Sequence, residues 1–328
     1  MDVRKLISFG KGTFIVSMPK PWVEKNHLKK GDLISIADDG HELIIRANSE
    51  EQKIESKEII IDASDKSLDF LRVEIVSAYL SGYDVINIQL HQNSKNFQQI
   101  KEILRNLSGM EIMEQTSTRI SAKNLISINE ISLPNMIRRM DLITRTMMED
   151  SILCCRGQKL DENIAQRDTD LNRIYYLGYR TIKIAMQNPR IARILNSESW
   201  QLHSDAQMMA RLEKLADRQK RIAKFLSESG LDREALSAIE KIYTEVSDAY
   251  KEIMKAYYSA DKKIAYGIEV SSKKRILQCD ELLEKYASRH VSKNKSDNMK
   301  LVHFVKIMNS LKGTEASVSN IARTVLSY

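Results

Sequence analysis

Proline and glycine are scarce in this chain, four and eleven in 328 residues. With so few breakers the backbone is free to run long, uninterrupted helices, and a protein made mostly of short strands and turns is excluded. Cysteine is almost missing. The three present are Cys154, Cys155 and Cys279; adjacent cysteines rarely pair with each other, and the spacing fits no zinc pattern. That excludes a disulfide framework and makes a reduced cytoplasm the expected compartment. No apolar run approaches the roughly 18 residues of a membrane span, and the N-terminal residues hold no apolar signal core. The expectation is a soluble protein without membrane insertion. The six histidines are scattered, and no Ser/His/Asp or Cys/His set stands in a motif, so an enzyme is not expected. A glycine-rich phosphate cradle is also missing.

What is present is a basic excess. The formal net charge is +7 and the pI about 9.1, a field that attracts polyanions without dictating sequence. It is concentrated at the start. Arg4, Lys5, Lys11, Lys20, Lys25, Lys29 and Lys30 face only Asp2 and Glu24 within the first thirty residues. In Thr13–Met18 the residues alternate, so that Phe14, Val16 and Met18 can share one face of a strand. Gly10 and Gly12 bracket Lys11 in a turn, Pro19 stops the strand, and Pro21 suits the first turn of a short helix over Trp22–Asn26. Lys30-Gly31-Asp32 is a second turn and Glu42–Ala47 another strand. A basic β module of about fifty residues cannot bury a full core alone and is a nucleic-acid-binding candidate.

The run Arg4-Lys5-x4-Gly10-x2-Thr13-Phe14-x-Val16-Ser17-x-Pro19-Lys20-x-Trp22-Val23, with Leu28-x2-Gly31-Asp32 after it, resembles the AbrB/SpoVT-type swapped-hairpin domain, in the form fused to PhoU-like proteins in archaea. The resemblance implies that two copies interleave strands into one small barrel and that a homodimer holds DNA through surface groups, here Arg4, Lys5, Lys11, Thr13 and Lys20. Val23 and Glu24 stand where the DNA-binding prototype carries two arginines. Arginine reads guanine bidentately, so backbone-directed binding of modest sequence preference is expected.

Residues 49–130 read as a polar linker and a small α+β layer. Strands are expected at Glu58–Ile61, Tyr83–Leu90, Glu111–Gln115 and Thr118–Ser121, and helices at Ser67–Ser81 and Phe97–Leu107, two helices on one face of a sheet. The stretches Ala78-Tyr79-Leu80-x-Gly82-Tyr83-Asp84 and Leu107-x-Gly109-Met110-Glu111-Ile112 resemble the middle region of the same archaeal proteins. His91 stands alone there, and the layer is expected to act as a spacer or dimer contact.

From Pro134 the pattern is helical to the end. Met136, Met140, Ile143 and Met147 form an apolar seam whose continuation reaches Asp150 and Cys154. A carboxylate on such a stripe must be paired, protonated or bound. Further helices are expected from Gln166, around Met209–Ala223, and over Asp232–Tyr258, Asp261–Arg289 and Lys300–Leu326. Gly267, Ser271 and the polar run 292–297 are expected to supply breaks. Two tandem three-helix bundles, about 131–229 and 230–328, account for this pattern. Arg167-Asp168-x3-Asn172-Arg173-x2-Tyr176 and Leu212-Glu213-x3-Asp217-x4-Ile222-Ala223 resemble a PhoU domain, strongly in the first bundle and weakly in the second.

That resemblance implies a divalent metal or iron in the first bundle on Asp150, Asp168, Glu213 and Asp217. From the residues alone these carboxylates are solvated, or paired with Lys220 and Arg221. In the second bundle Lys312 and Ala316 stand where two acids belong, Glu315 is offset by one, and no metal is expected. The fold expected is therefore multidomain and mainly α: a swapped-hairpin β barrel (1–48), an α+β middle domain (49–130) and PhoU-like tandem bundles (131–328). The function expected is a DNA-binding transcriptional regulator linked to phosphate uptake. The alternative is a PhoU-like signalling adaptor that binds a transporter or another protein, with the N-terminal domain only dimerising.

Overall fold

A computed structural model describes residues 3–38, 42–47, 56–91, 96–290 and 295–327. The chain is mainly helical and divides into two compact units, residues 1–56 and 57–328. Residues 49–55 of the expected linker, and 292–294 of the expected break, lie outside the described residues.

The first unit holds two separate β-ribbons and one short helix. Strands β1 (Ile7–Phe9) and β2 (Thr13–Ile15) pair antiparallel with Ile7 opposite Ile15. Gly10, at φ +71°, makes the tight turn between them, a left-handed backbone that only glycine adopts cheaply. Helix α1 (Lys20–Lys25) follows Pro19, whose carbonyl accepts from the amides of Trp22 and Val23, and carries Pro21 in its first turn. Strands β3 (Ser35–Asp38) and β4 (Leu43–Arg46) form the second ribbon, with Ile36 opposite Ile45. No described residue of this unit is buried.

The second unit opens with strand β5 (Glu58–Asp62), helix α2 (Leu68–Leu80), strand β6 (Val85–Gln89), helix α3 (Phe97–Arg105) and the strands β7 (Met110–Gln115) and β8 (Arg119–Asn124). The sheet runs β5-β6-β8-β7, with β5 parallel to β6 and the other neighbours antiparallel. Ser67 caps α2 by accepting from the Phe70 amide, and Gly82 (φ +87°) turns the chain out of it. Both helices share one core with the sheet, around Leu71, Ile75, Tyr79, Ile86, Ile88, Ile100 and Leu104.

The remaining helices are α4 (Leu133–Cys155), α5 (Asp161–Gln187), α6 (Pro189–Ile194), α7 (Ser199–Glu228), α8 (Arg233–Ser259), α9 (Lys262–His290) and α10 (Lys295–Leu326). Helices α4, α5 and α7 pack on one another, as do α8, α9 and α10, and α7 meets α10 while α4 meets α8. One continuous apolar core runs through both groups. The contact between α5 and α7 is so close that a Cβ on Gly178 would collide with the Met209 thioether. Between the groups, buried Gln219 donates to the Leu215 carbonyl and Thr314 Oγ1 and accepts from the Tyr243 hydroxyl, so its amide is satisfied.

Two sequence expectations change. Gly267 and Ser271 do not interrupt the chain: α9 passes through both, and Ser271 Oγ donates to the Gly267 carbonyl at 2.7 Å, an in-helix bond that absorbs the hydroxyl. The third helix of that group starts at Lys295, inside the polar run, and not at Lys300. Helix α6 was not expected, although Asn188 and Pro189 provide both its cap and its first turn, with Asn188 Oδ1 accepting from the Arg190 amide at 3.1 Å.

The most buried polar tie between the α+β layer and the helices is Arg180, beside Lys183 on Ser81 and Ser108 on the Arg173 carbonyl. Arg180 of α5, 2% exposed, donates to the carbonyls of Tyr79 (2.5 Å) and Tyr83 (2.8 Å) and to Asp84 Oδ1 (2.6 Å). Its guanidinium also lies 5.0 Å from the centre of the Tyr79 ring. Asp84 in turn accepts from the Lys57 amide where β5 begins.

Candidate functional site

In the first unit the candidate DNA-contacting residues are held on turns and strand ends. Arg4 and Lys5 precede β1, Lys11 occupies the β1–β2 turn and Thr13 opens β2, all of them exposed. Lys20, at the start of α1, is exposed and lies 3.6 Å from Glu24. Charged side chains at the rim of a ribbon keep their reach into solvent, as polyanion binding requires. Between them the strands present Ile7, Phe9 and Phe14, which are 57%, 66% and 64% exposed.

In the second unit the four acids of the first helical group are placed on three helices. Asp150 of α4 is paired with Arg167 of α5. Asp168, 3% exposed, accepts from Lys220 Nζ at 2.5 Å and from Asn172 Nδ2 at 3.3 Å. Asp217 takes Arg221 at 2.7 Å and lies 3.8 Å from Lys220. Glu213 has its carboxyl pushed above the usual range, first by burial and then by the neighbouring Asp217 and Asp168 charges. Thus Asp168, Glu213 and Asp217 interact as one group, while Asp150 is held apart by its own arginine.

Among the described residues, no three His, Cys, Asp or Glu side chains come together in a way that could hold a metal ion. The positive charge that a metal would supply is already there, in the ammonium of Lys220. A multivalent cation beside that ammonium meets repulsion at close range. Asp168 Oδ1 and Asn172 Oδ1 are buried without a protein donor, which suits one further neutral donor at this spot. In the second helical group Lys312 pairs with Asp280 at 2.7 Å, and fully buried Glu315 accepts both Nε and Nη2 of Arg275 at 2.8 Å.

The seam reading of α4 misses its most buried carboxylate. Asp141, 2% exposed, accepts from the hydroxyls of Tyr250 (2.8 Å) and Tyr258 (3.0 Å) and from Arg145 Nε (2.9 Å). Burial and the adjacent Asp141 charge raise the Tyr258 phenol well above its ordinary pKa. The signal was a second stripe one position off the first, Ile137, Asp141, Thr144, Met148 and Ser151, in which three polar residues are mixed with two apolar ones.

Asp205 of α7 was likewise not singled out. It is 2% exposed and accepts from Gln201 Nε2 at 2.9 Å. Burial pushes its carboxyl up to about 6, against the smaller opposing pull of the Gln201 bond. The folded state therefore holds this proton more tightly than the unfolded chain, whose aspartates titrate near pH ~3.9. Its stabilising contribution is full below that value and is lost as pH rises through about 6. Asp205→Asn keeps the shape without the charge. Denaturant melts are expected to show it more stable than the parent by about 2 kcal/mol at neutral pH, with the difference closing near pH ~4.

No family model, no curated protein and no solved structure matches the chain. No helix among the described residues is long and apolar enough to cross a membrane.

Proposed function

We propose that this chain is a homodimeric, cytoplasmic DNA-binding transcriptional regulator whose first unit holds DNA and whose helices sense a signal or dock a partner. The observation that carries the reading is the first unit itself: strands rich in apolar side chains with none of them buried, ringed by Arg4, Lys5, Lys11 and Lys20. An isolated two-stranded ribbon is marginal in water, and apolar strand faces of this kind call for a covering layer. A second copy supplies it, and closing two such units into one barrel is what the AbrB/SpoVT resemblance implies. Pairing also doubles the basic rim, so that the cations of two chains face one duplex. The likeness to archaeal PhoU-like proteins adds phosphate uptake as the process regulated.

The test is the state of association. Phe14 is exposed in the single chain, so Phe14→Asp is expected to be harmless to a monomer and severe to a dimer that buries the ring. In sedimentation velocity the parent should run as a dimer and the variant as a monomer with unchanged helical content. A variant that still dimerises as the parent does overturns the assignment of the first unit.

A further inference from the structure

We propose that the groove between α4 and α8 docks an acidic, amphipathic helical segment of a partner protein. The two helices run antiparallel, as the pairs Glu149–Lys251 (3.0 Å) and Arg156–Glu240 (2.8 Å) require. Between them lies an open groove of about 700 Å³ whose walls carry Arg138, Leu142 and Arg145 from α4 and Lys251, Lys255 and Tyr258 from α8.

The floor of this groove is rigid. Buried Asp141 holds Arg145 and the Tyr258 hydroxyl, and the Arg138 guanidinium stacks 5.2 Å from the centre of the Tyr258 ring. Asp141 is thereby fully engaged and Lys251 has Glu149. Among the described residues, Arg138 and Lys255 make no ion pair; the one other acid of the lining is Glu252. The rim is left with an excess of positive charge before any ligand arrives.

The spacing selects the occupant. Arg138 and Arg145 are two helical turns apart, roughly 10 Å along the axis, and Leu142 stands between them 58% exposed. Carboxylates two turns apart on a helix, with an apolar residue between, match both features at once: charge against charge, and a side chain on Leu142 and the Tyr258 ring. A small anion leaves Leu142 uncovered. A duplex presents an even rail of phosphates, and not two charges flanking one aliphatic side chain. This surface belongs to the second unit and does not depend on the reading of the first.

The experiment uses the full chain and fluorescence anisotropy with three probes. They are a labelled helical peptide of about four turns bearing glutamates two turns apart around a leucine, its glutamine counterpart, and a labelled duplex. The parent is expected to bind the glutamate peptide at least ~10-fold more tightly than the glutamine one, the scale of about 1.4 kcal/mol from rim charges. Arg138→Glu with Lys255→Glu should erase that preference while leaving duplex binding and the helical content unchanged, since both side chains are exposed. The milder Arg138→Gln with Lys255→Gln should give an intermediate loss, and Leu142→Ser a several-fold weakening at unchanged peptide charge. Equal binding of the two peptides by the parent overturns the proposal, as does undiminished preference in the charge-reversed chain. A loss of duplex binding in that variant overturns it too, by making DNA the occupant.

Discussion

Replacing Arg180 by methionine is expected to cost about 3 kcal/mol or more of folding stability. The stem keeps its packing, so the loss isolates the guanidinium. Without it, the carbonyls of Tyr79 and Tyr83 lose a donor and Asp84 loses its cation, all at a seam where Arg180 is 2% exposed. The Tyr79 carbonyl keeps the Gly82 amide, but the Tyr83 carbonyl is left unpaired at about 1–3 kcal/mol, and more is lost where a charge is involved. Asp84 is partly open to water, side chain 27% exposed, and will recover some of its loss by hydration. Arg180→Lys should fall between the two, because one ammonium cannot reach three acceptors fixed by a planar fork. Urea unfolding followed by circular dichroism measures this directly. A loss under about 1 kcal/mol in the methionine variant, the size of an exposed pair, means that the α+β layer is held by its apolar contacts instead.

The second large effect concerns DNA. Arg4→Ala, Lys5→Ala and Lys11→Ala together should remove three phosphate-directed charges per chain, six per dimer. With about 0.9 counterions released per phosphate neutralised, the slope of log K against log salt should flatten by roughly 5, and binding at low salt should fall by ~10³-fold or more. All three side chains are exposed, so the melt and the dimer should be untouched. Lys20 is a useful contrast. It already lies 3.6 Å from Glu24, and its alanine variant should lose less than Lys5→Ala or Lys11→Ala. A triple variant that binds as the parent does places the interface elsewhere on the molecule.

How much of this could be read along the chain depends on how local its cause is. The long helices follow from the scarcity of proline and from regular apolar spacing, so α4, α8 and α10 were legible with their ends uncertain by a few residues. Gly267 was misread because a glycine inside a helix is only weakly unfavourable, about 1 kcal/mol, and the packing of α9 against its neighbours outweighs that. Asp141 and Arg180 were invisible for a different reason. Their partners Tyr250 and Asp84 lie 109 and 96 positions away, and only the tertiary fold joins them. The acids Asp168, Glu213 and Asp217 were singled out by the resemblance to a PhoU domain, and the residues alone left open whether a metal or Lys220 answers them. Only the tertiary fold brings the Lys220 ammonium to 2.5 Å from Asp168. The first unit is the reverse case. Its alternation predicted strands, and the fact that a lone chain cannot bury them is itself the strongest hint of a second copy.

The most direct test of the regulator reading is a titration of the purified chain against promoter and random duplex DNA at two salt concentrations. The account predicts binding that weakens steeply as salt rises, with a modest preference for some promoters over random sequence. No binding even at low salt would contradict it and leave the dimeric adaptor as the reading to pursue.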